Sequence, residues 1–207
     1  DATGFVAGFA DATGHYLPLV CTLNAARVLT ATAEMLGVDM DGFAALALSA
    51  PAGSEGLVLL PYLDGERTPN LPDARGSLHG ITRSNLTPAN IARAAVEGML
   101  GGLADAVDAL VGVGVEPGRI LLVGGAAANA AVAAVAATVF PAPIVVPPPG
   151  EYVADGAARQ AAWVLSGADE APAWAASREG EAVTVDPTPV PAVRAAYREA
   201  RVALHGA

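Results

Sequence analysis

Apolar positions in this chain switch between a helical and an extended period, and the switches outline its elements. In residues 22–36, Leu23, Ala26, Leu29 and Ala33 recur at helical spacing until Gly37 stops the run. A second short helix is predicted over residues 41–50, closed by Pro51, and residues 56–61 form a short, fully apolar strand. Residues 4–20 alternate small and apolar side chains around Asp11-Ala12-Thr13-Gly14, a hairpin pattern with Gly where the turn needs positive φ. Residues 62–86 are a polar loop region with a strand predicted over 78–82. Thr87-Pro88 opens a helix predicted to reach residue 113, with Thr87 as N-cap and Pro88 in the first turn.

Strand and helix then alternate: a strand at 120–123, a helix at 129–139, a strand at 144–146 and a helix at 153–165. That order predicts an α/β layer structure. After Gly167 the chain turns Pro- and Ala-rich, so residues 168–188 are expected to be an extended connector, followed by a helix over 190–205. Residues 1–167 therefore read as one domain, with 168–207 packed on it.

Composition narrows the function classes. The chain has 207 residues, 53% hydrophobic, with 11 Lys and Arg against 21 Asp and Glu, a net charge of −10. No basic cluster occurs, which argues against nucleic acid and against an anionic membrane surface as partners. The uncharged run at 120–150 is broken by Gly124 and Gly125 and by five prolines, leaving less apolar helix than a bilayer needs. One cysteine, Cys21, with Val20 and Leu23 as apolar neighbours, reads as a buried structural thiol in a cytoplasmic protein. The chain starts at Asp1 without Met or a signal segment, which reads as a fragment whose start lies upstream.

Chemistry concentrates in few places. At Gly124-Gly125 the backbone can turn sharply, and a flat ligand can lie against it with no Cβ in the way. The following helix offers free N–H groups to an anion. A bare packing turn is the competing reading. The string Gly112-Val113-Gly114-Val115-Glu116-Pro117-Gly118 precedes a strand instead of following one, so it reads as a helix end and not a dinucleotide fingerprint. His15, His79 and His205 are far apart without metal-ligand spacing, so no metal site is expected. Asp105 and Asp108 read as a solvated helix face. The loop at 61–69 (Pro-Tyr-Leu-Asp-Gly-Glu-Arg-Thr-Pro), beside Asp73-Ala74-Arg75-Gly76, is either a salt-bridged scaffold or ligand-facing.

Four blocks carry a family resemblance. The 61–69 loop resembles that of the xylulokinase subgroup of the FGGY carbohydrate kinases, with Asp64 where Ser is usual. Residues 76–81 (Gly-Ser-Leu-His-Gly-Ile) and 90–97 (Asn-Ile-Ala-Arg-Ala-Ala-Val-Glu) are similar to the second FGGY signature. Residues 122–129 resemble its adenosine motif, and 151–162, with Ala154, Gly156, Ala157, Ala158 and Arg159, the helix that closes the adenine pocket.

The resemblance implies an actin-like ATPase (ribonuclease-H-like) domain, a central mixed sheet with helices on both faces. It further implies ATP and Mg2+ as cofactors, and a cleft for ATP and D-xylulose shared with an N-terminal domain. In the family the general base lies in a Gly-Asp motif and the phosphate in a Gly-Thr-Ser/Gly loop, neither of which this sequence contains. No catalytic residue is therefore assigned here, and the chain alone is expected not to phosphorylate sugar. The implied nucleotide contacts are Gly124, Gly125, Ala126 (in place of a third glycine) and Asn129, which would hydrogen-bond the base or ribose. Asp155 stands where relatives carry an aliphatic residue, and Arg67 and Arg75 would organise the cleft-side loops unless they serve in structural ion pairs. A non-catalytic actin-like module and an FGGY kinase for another sugar are the alternatives, and a homo-oligomer is compatible with all of them.

Overall fold

The computed structural model describes residues 4–174 and 180–206. The predicted hairpin forms from β1 (Ala7–Ala10) and β2 (Tyr16–Leu19), antiparallel with Ala7 opposite Leu19. Its turn is fixed by Asp11, whose carboxylate accepts from the Thr13 and His15 backbone N–H at 2.8 and 2.9 Å. The first helix, α1 (Ala26–Leu36), ends at Gly37 in the left-handed conformation, and α2 (Met40–Ser49) is capped by Asp39, which accepts from Gly42 N–H. Strand β3 (Val58–Leu60) pairs antiparallel with β4 (Ser77–His79).

The centre of the molecule is α3 (Pro88–Gly112), with Thr87 as N-cap and Pro88 in the first turn as the sequence predicts. Its side chains from Ala92 to Ala104 are largely buried against α1, α2, β3, α4 (Ala130–Val139) and α6 (Pro191–His205). Small residues let those neighbours approach closely: the Leu59 carbonyl lies against Gly98, and the Tyr197 ring against Gly101. Phe43, Leu29, Val96, Leu100, Val135 and Ile144 form the heart of the core.

A mixed three-stranded sheet completes the layer. β5 (Ile120–Leu121) runs parallel to β6 (Ile144–Val146), and β7 (Val183–Val185) runs antiparallel on its other side. The connector expectation for 168–188 is corrected here: part of it is a strand, because Val183-Thr184-Val185 supplies β-branched side chains and pairs Val146 with Val183. Residues 175–179 of that connector lie outside the described residues. Helix α5 (Tyr152–Ser166) buries none of its residues.

Asp105 and Asp108 do not form a solvated face. Arg194 on α6 reaches Asp105 at 3.2 Å and Asp108 at 2.6 Å, Arg201 reaches Asp105 at 3.3 Å, and Arg198 also bonds Asp108. Helical periodicity could not show this, because the arginines lie more than eighty positions away in sequence. Beside this network, Tyr62 and Tyr197 share a hydroxyl contact of 3.2 Å, and the His205 ring packs tilted against Tyr62, centroids 5.4 Å apart at 53°.

Burial pushes both tyrosine hydroxyls up from their ordinary ionisation range. The unfolded chain therefore loses these protons first as pH rises. Their contribution to stability is complete below pH ~10 and declines above it. Urea unfolding at rising alkaline pH should show this decline, and it should be smaller in a Tyr62→Phe, Tyr197→Phe double variant. An equal decline in both proteins would refute the assignment.

Candidate functional site

The parallel strands β5 and β6 set the site. Ligands in open α/β sheets usually sit outside the carboxyl ends of the strands. After Leu122, whose N–H donates to Val145 C=O at 2.9 Å, the chain reaches Gly124 at φ +96°. That conformation excludes ordinary side chains. A short 3-10 turn (Gly125–Ala128) follows, so the helix does not begin directly after the Gly pair; α4 starts only at Ala130. The loop after β6 is Pro147-Pro148-Pro149-Gly150, stiffened by its prolines and tied by the Tyr152 hydroxyl, which donates to Pro148 C=O.

Between these loops lies a cavity of about 610 Å3. Leu122–Gly125, Ala127–Ala130 and Ala133 form one wall, Val146–Tyr152 another, and Glu181 and Val183 a third. The third wall follows from topology: β7 is antiparallel to β6, so its beginning sits at the carboxyl ends of β5 and β6. Among the described residues no Lys, Arg or His lines the cavity, and its only carboxylates are Glu151 and Glu181. Gly124 and Gly125 face open space, with no heavy atom within 4 Å of where a Cβ would stand.

The residues singled out in the sequence separate here. Gly124 and Gly125 line the cavity, while Ala126 packs its methyl against the core. Asn129 lies on the wall, but its side chain is engaged: Oδ1 accepts from Ala131 N–H at 3.0 Å and Nδ2 donates to Met40 C=O at 3.2 Å. Its visible work is to cap α4 and tie it to α2. Of residues 151–162 only Glu151 and Tyr152 reach the cavity. Asp155 accepts from the Trp174 indole N–H at 2.8 Å instead.

The second signature block has a structural task. Residues 53–56 all hold positive φ, including the non-glycine Ser54 and Glu55, a conformation that costs about 1–2 kcal/mol per ordinary residue. The signature holds them there. Glu97 accepts from Gly53 N–H at 2.9 Å and Ser54 Oγ at 3.2 Å, and is paired with Arg93 at 2.7 Å. Asn85 donates to Glu55 C=O, and Asn90 to the Glu55 carboxylate.

The 61–69 loop is a scaffold of another kind than a salt bridge. Glu66 turns inward, 3% exposed, and accepts from the Leu23 and Arg67 backbone N–H and from Asn24 Nδ2 at 2.7–2.9 Å. Arg67 and Arg75 are exposed, and neither forms an ion pair among the described residues. Cys21 is half-buried. His79 bonds Ser77 at 2.8 Å, and no group of three or more His, Cys, Asp or Glu placed to hold a metal occurs among the described residues. Among the same residues, no helix is long and apolar enough to cross a membrane.

An α/β domain with this order of elements, its crevice at the carboxyl edge of a mixed sheet, is of the actin-like ATPase class. The family model for the C-terminal domain of the FGGY family of carbohydrate kinases matches residues 3–165, and the chain belongs to that family. Xylulose kinase of Streptomyces coelicolor is 41% identical over 172 residues, 83% of this chain and 34% of that protein. The crystal structure of xylulose kinase from Bifidobacterium adolescentis has a TM-score of 0.83 at 47% identity, covering 97% of this chain and 39% of that one. Gluconate kinase from Lactobacillus acidophilus has a TM-score of 0.80 at 27% identity, covering 99% and 43%. The chain thus spans about a third of the length of its curated relatives.

Proposed function

We propose that this chain is the ATP-binding, C-terminal domain of a cytoplasmic sugar kinase that transfers the γ-phosphoryl group of ATP to D-xylulose, giving xylulose 5-phosphate. The observation that carries this reading is the crevice beyond β5 and β6, with the Gly124 and Gly125 backbone open to it, in a chain 41% identical to a xylulose kinase. In this reading residues 1–167 are the nucleotide-binding body, and the described residues of 168–207 pack on it.

The residues present fit a nucleoside. The walls are apolar enough to take a flat base, and main-chain groups at Gly124 and Gly125 are reachable without a Cβ between. ATP supplies the transferred phosphoryl group, and Mg2+ is the ion that accompanies its phosphates. This chain's residues bind and orient the nucleoside and keep water from it. The group that takes the sugar hydroxyl proton is expected in the N-terminal part of the kinase. Sugar choice is the point on which the gluconate kinase, with the same fold, keeps a second reading open.

Gly125→Val tests the nucleotide site. A Cβ at Gly125 meets no protein atom within 4 Å, so the substitution fills the crevice without overlapping the fold. In the intact kinase KM for ATP should rise roughly tenfold or more, ~1.4 kcal/mol, with the melting temperature little changed. An unaltered KM for ATP would remove the nucleotide reading. The isolated 207-residue chain should show no ATP-dependent phosphorylation of xylulose or gluconate, whereas the intact kinase should prefer xylulose.

A further inference from the structure

The cavity's third wall comes from a part of the chain that the family match at 3–165 does not reach. Strand pairing and packing hold it in place. β7 is held in register by Val146 opposite Val183 and Val145 opposite Thr184, and Gly180 lies beside Pro148, whose ring atoms would stand 3.7–3.8 Å from a Cβ at that position. Side chains two apart on an extended chain share a face, so Glu181 projects to the same side as Val183, and both line the cavity. The Glu181 carboxylate has no hydrogen-bond or ion-pair partner among the described residues. Glu151, the other acid, stands at the N-terminus of α5, where the helix dipole compensates its charge.

A carboxylate with no partner, in a cavity where no described residue supplies a cation, repels phosphates and attracts hydrogen-bond donors. We propose that Glu181 is a specificity-determining residue that reads the neutral end of the nucleotide, its carboxylate accepting a hydrogen bond from a ribose hydroxyl or from the exocyclic amine of the base. The nucleoside then occupies the Glu181 side of the crevice, with the phosphates directed away from that carboxylate. The last forty residues thereby act as more than a strap: they complete the site with a group that the β5 and β6 loops do not supply.

This inference rests on the nucleotide reading above, and the experiment separates the two. In the intact kinase, KM is measured for ATP, 2′-deoxy-ATP, 3′-deoxy-ATP and purine riboside triphosphate, in the parent protein and in Glu181→Ala and Glu181→Gln. Glu181→Ala should raise KM for ATP about tenfold, the ratio a hydrogen bond to a charged group commonly carries, with the effect in KM and not in kcat. Glu181→Gln should recover part of the loss. The analogue lacking the contacted donor should bind the parent protein and Glu181→Ala alike, which identifies ribose or base as the source. A lowered KM in Glu181→Ala, the result of simple repulsion, overturns the proposal, as does an equal rise with all four nucleotides. An unchanged KM in Glu181→Ala also overturns it. If Gly125→Val still weakens ATP, the nucleotide site stands without Glu181; if neither variant changes KM, the nucleotide reading itself fails.

Discussion

Gly98→Ala should destabilise the chain by about 3 kcal/mol, toward the upper end of what an inserted core methyl costs. A Cβ at this position would stand 2.1 Å from the Leu59 carbonyl oxygen and 3.2 Å from its carbon. Two effects compete. Alanine in place of a mid-helix glycine contributes roughly 1 kcal/mol of helix propensity, and the overlap opposes it. The overlap wins because its partner is backbone: Leu59 is in β3, pinned by pairing with Leu78 on β4, and has no rotamer to move. Gly112→Ala is the matched control, in the same helix but with nothing within 4 Å of its Cβ, and it should cost nothing. Urea midpoints of the two variants provide the check. A Gly98→Ala protein as stable as the parent would mean that α3 and β3 do not approach as described.

Glu97→Ala should cost about 3–5 kcal/mol, the range for removing one partner of a buried ion pair. Arg93 and Glu97 side chains are 8% and 7% exposed, so the remaining guanidinium would be left charged in the interior. The loss does not stop there. The Gly53 N–H and Ser54 hydroxyl lose their acceptor, and the left-handed run at 53–56 loses the contacts that hold it. Glu97→Gln separates these contributions: its amide oxygen still accepts from Gly53, so it should lose distinctly less than the alanine variant. Equal losses in both would show that charge pairing alone is at work, and a negligible loss in both would contradict the burial of the pair.

These two variants also explain why the blocks that carry the family resemblance were legible while their roles were not. Residues 90–97 are recognisable as a string, yet in space Asn90, Arg93 and Glu97 serve a turn some forty positions earlier. Glu66 was visible as one charge in a charged loop, and its inward turn toward Leu23 and Asn24 was not. In both cases the partners are a mixture of backbone N–H groups and side chains some forty positions away in sequence, so no local spacing announces them. The same holds for Asn129. It was singled out for a nucleotide, whereas its side chain caps α4 and holds Met40.

The sequence by itself determined most of the elements, because their signals are local. Thr87-Pro88 starts α3, Gly37 ends α1, and Asp11 to Gly14 turns the hairpin, each through a side chain or a φ angle within a few residues of its effect. It also located the Gly124-Gly125 opening, since that depends only on missing Cβ atoms. Tertiary structure alone decided what surrounds that opening. β7 joins the sheet by pairing with β6 from across α5, the prolines after β6 become a wall, and Glu181 arrives beside them from a segment that reads as a connector. Likewise Asp105 and Asp108 are a clamp for α6 only once Arg194, Arg198 and Arg201 are brought to them. Hydrogen bonding between strands and ion pairing between helices depend on distance in space, which the linear order of residues does not contain.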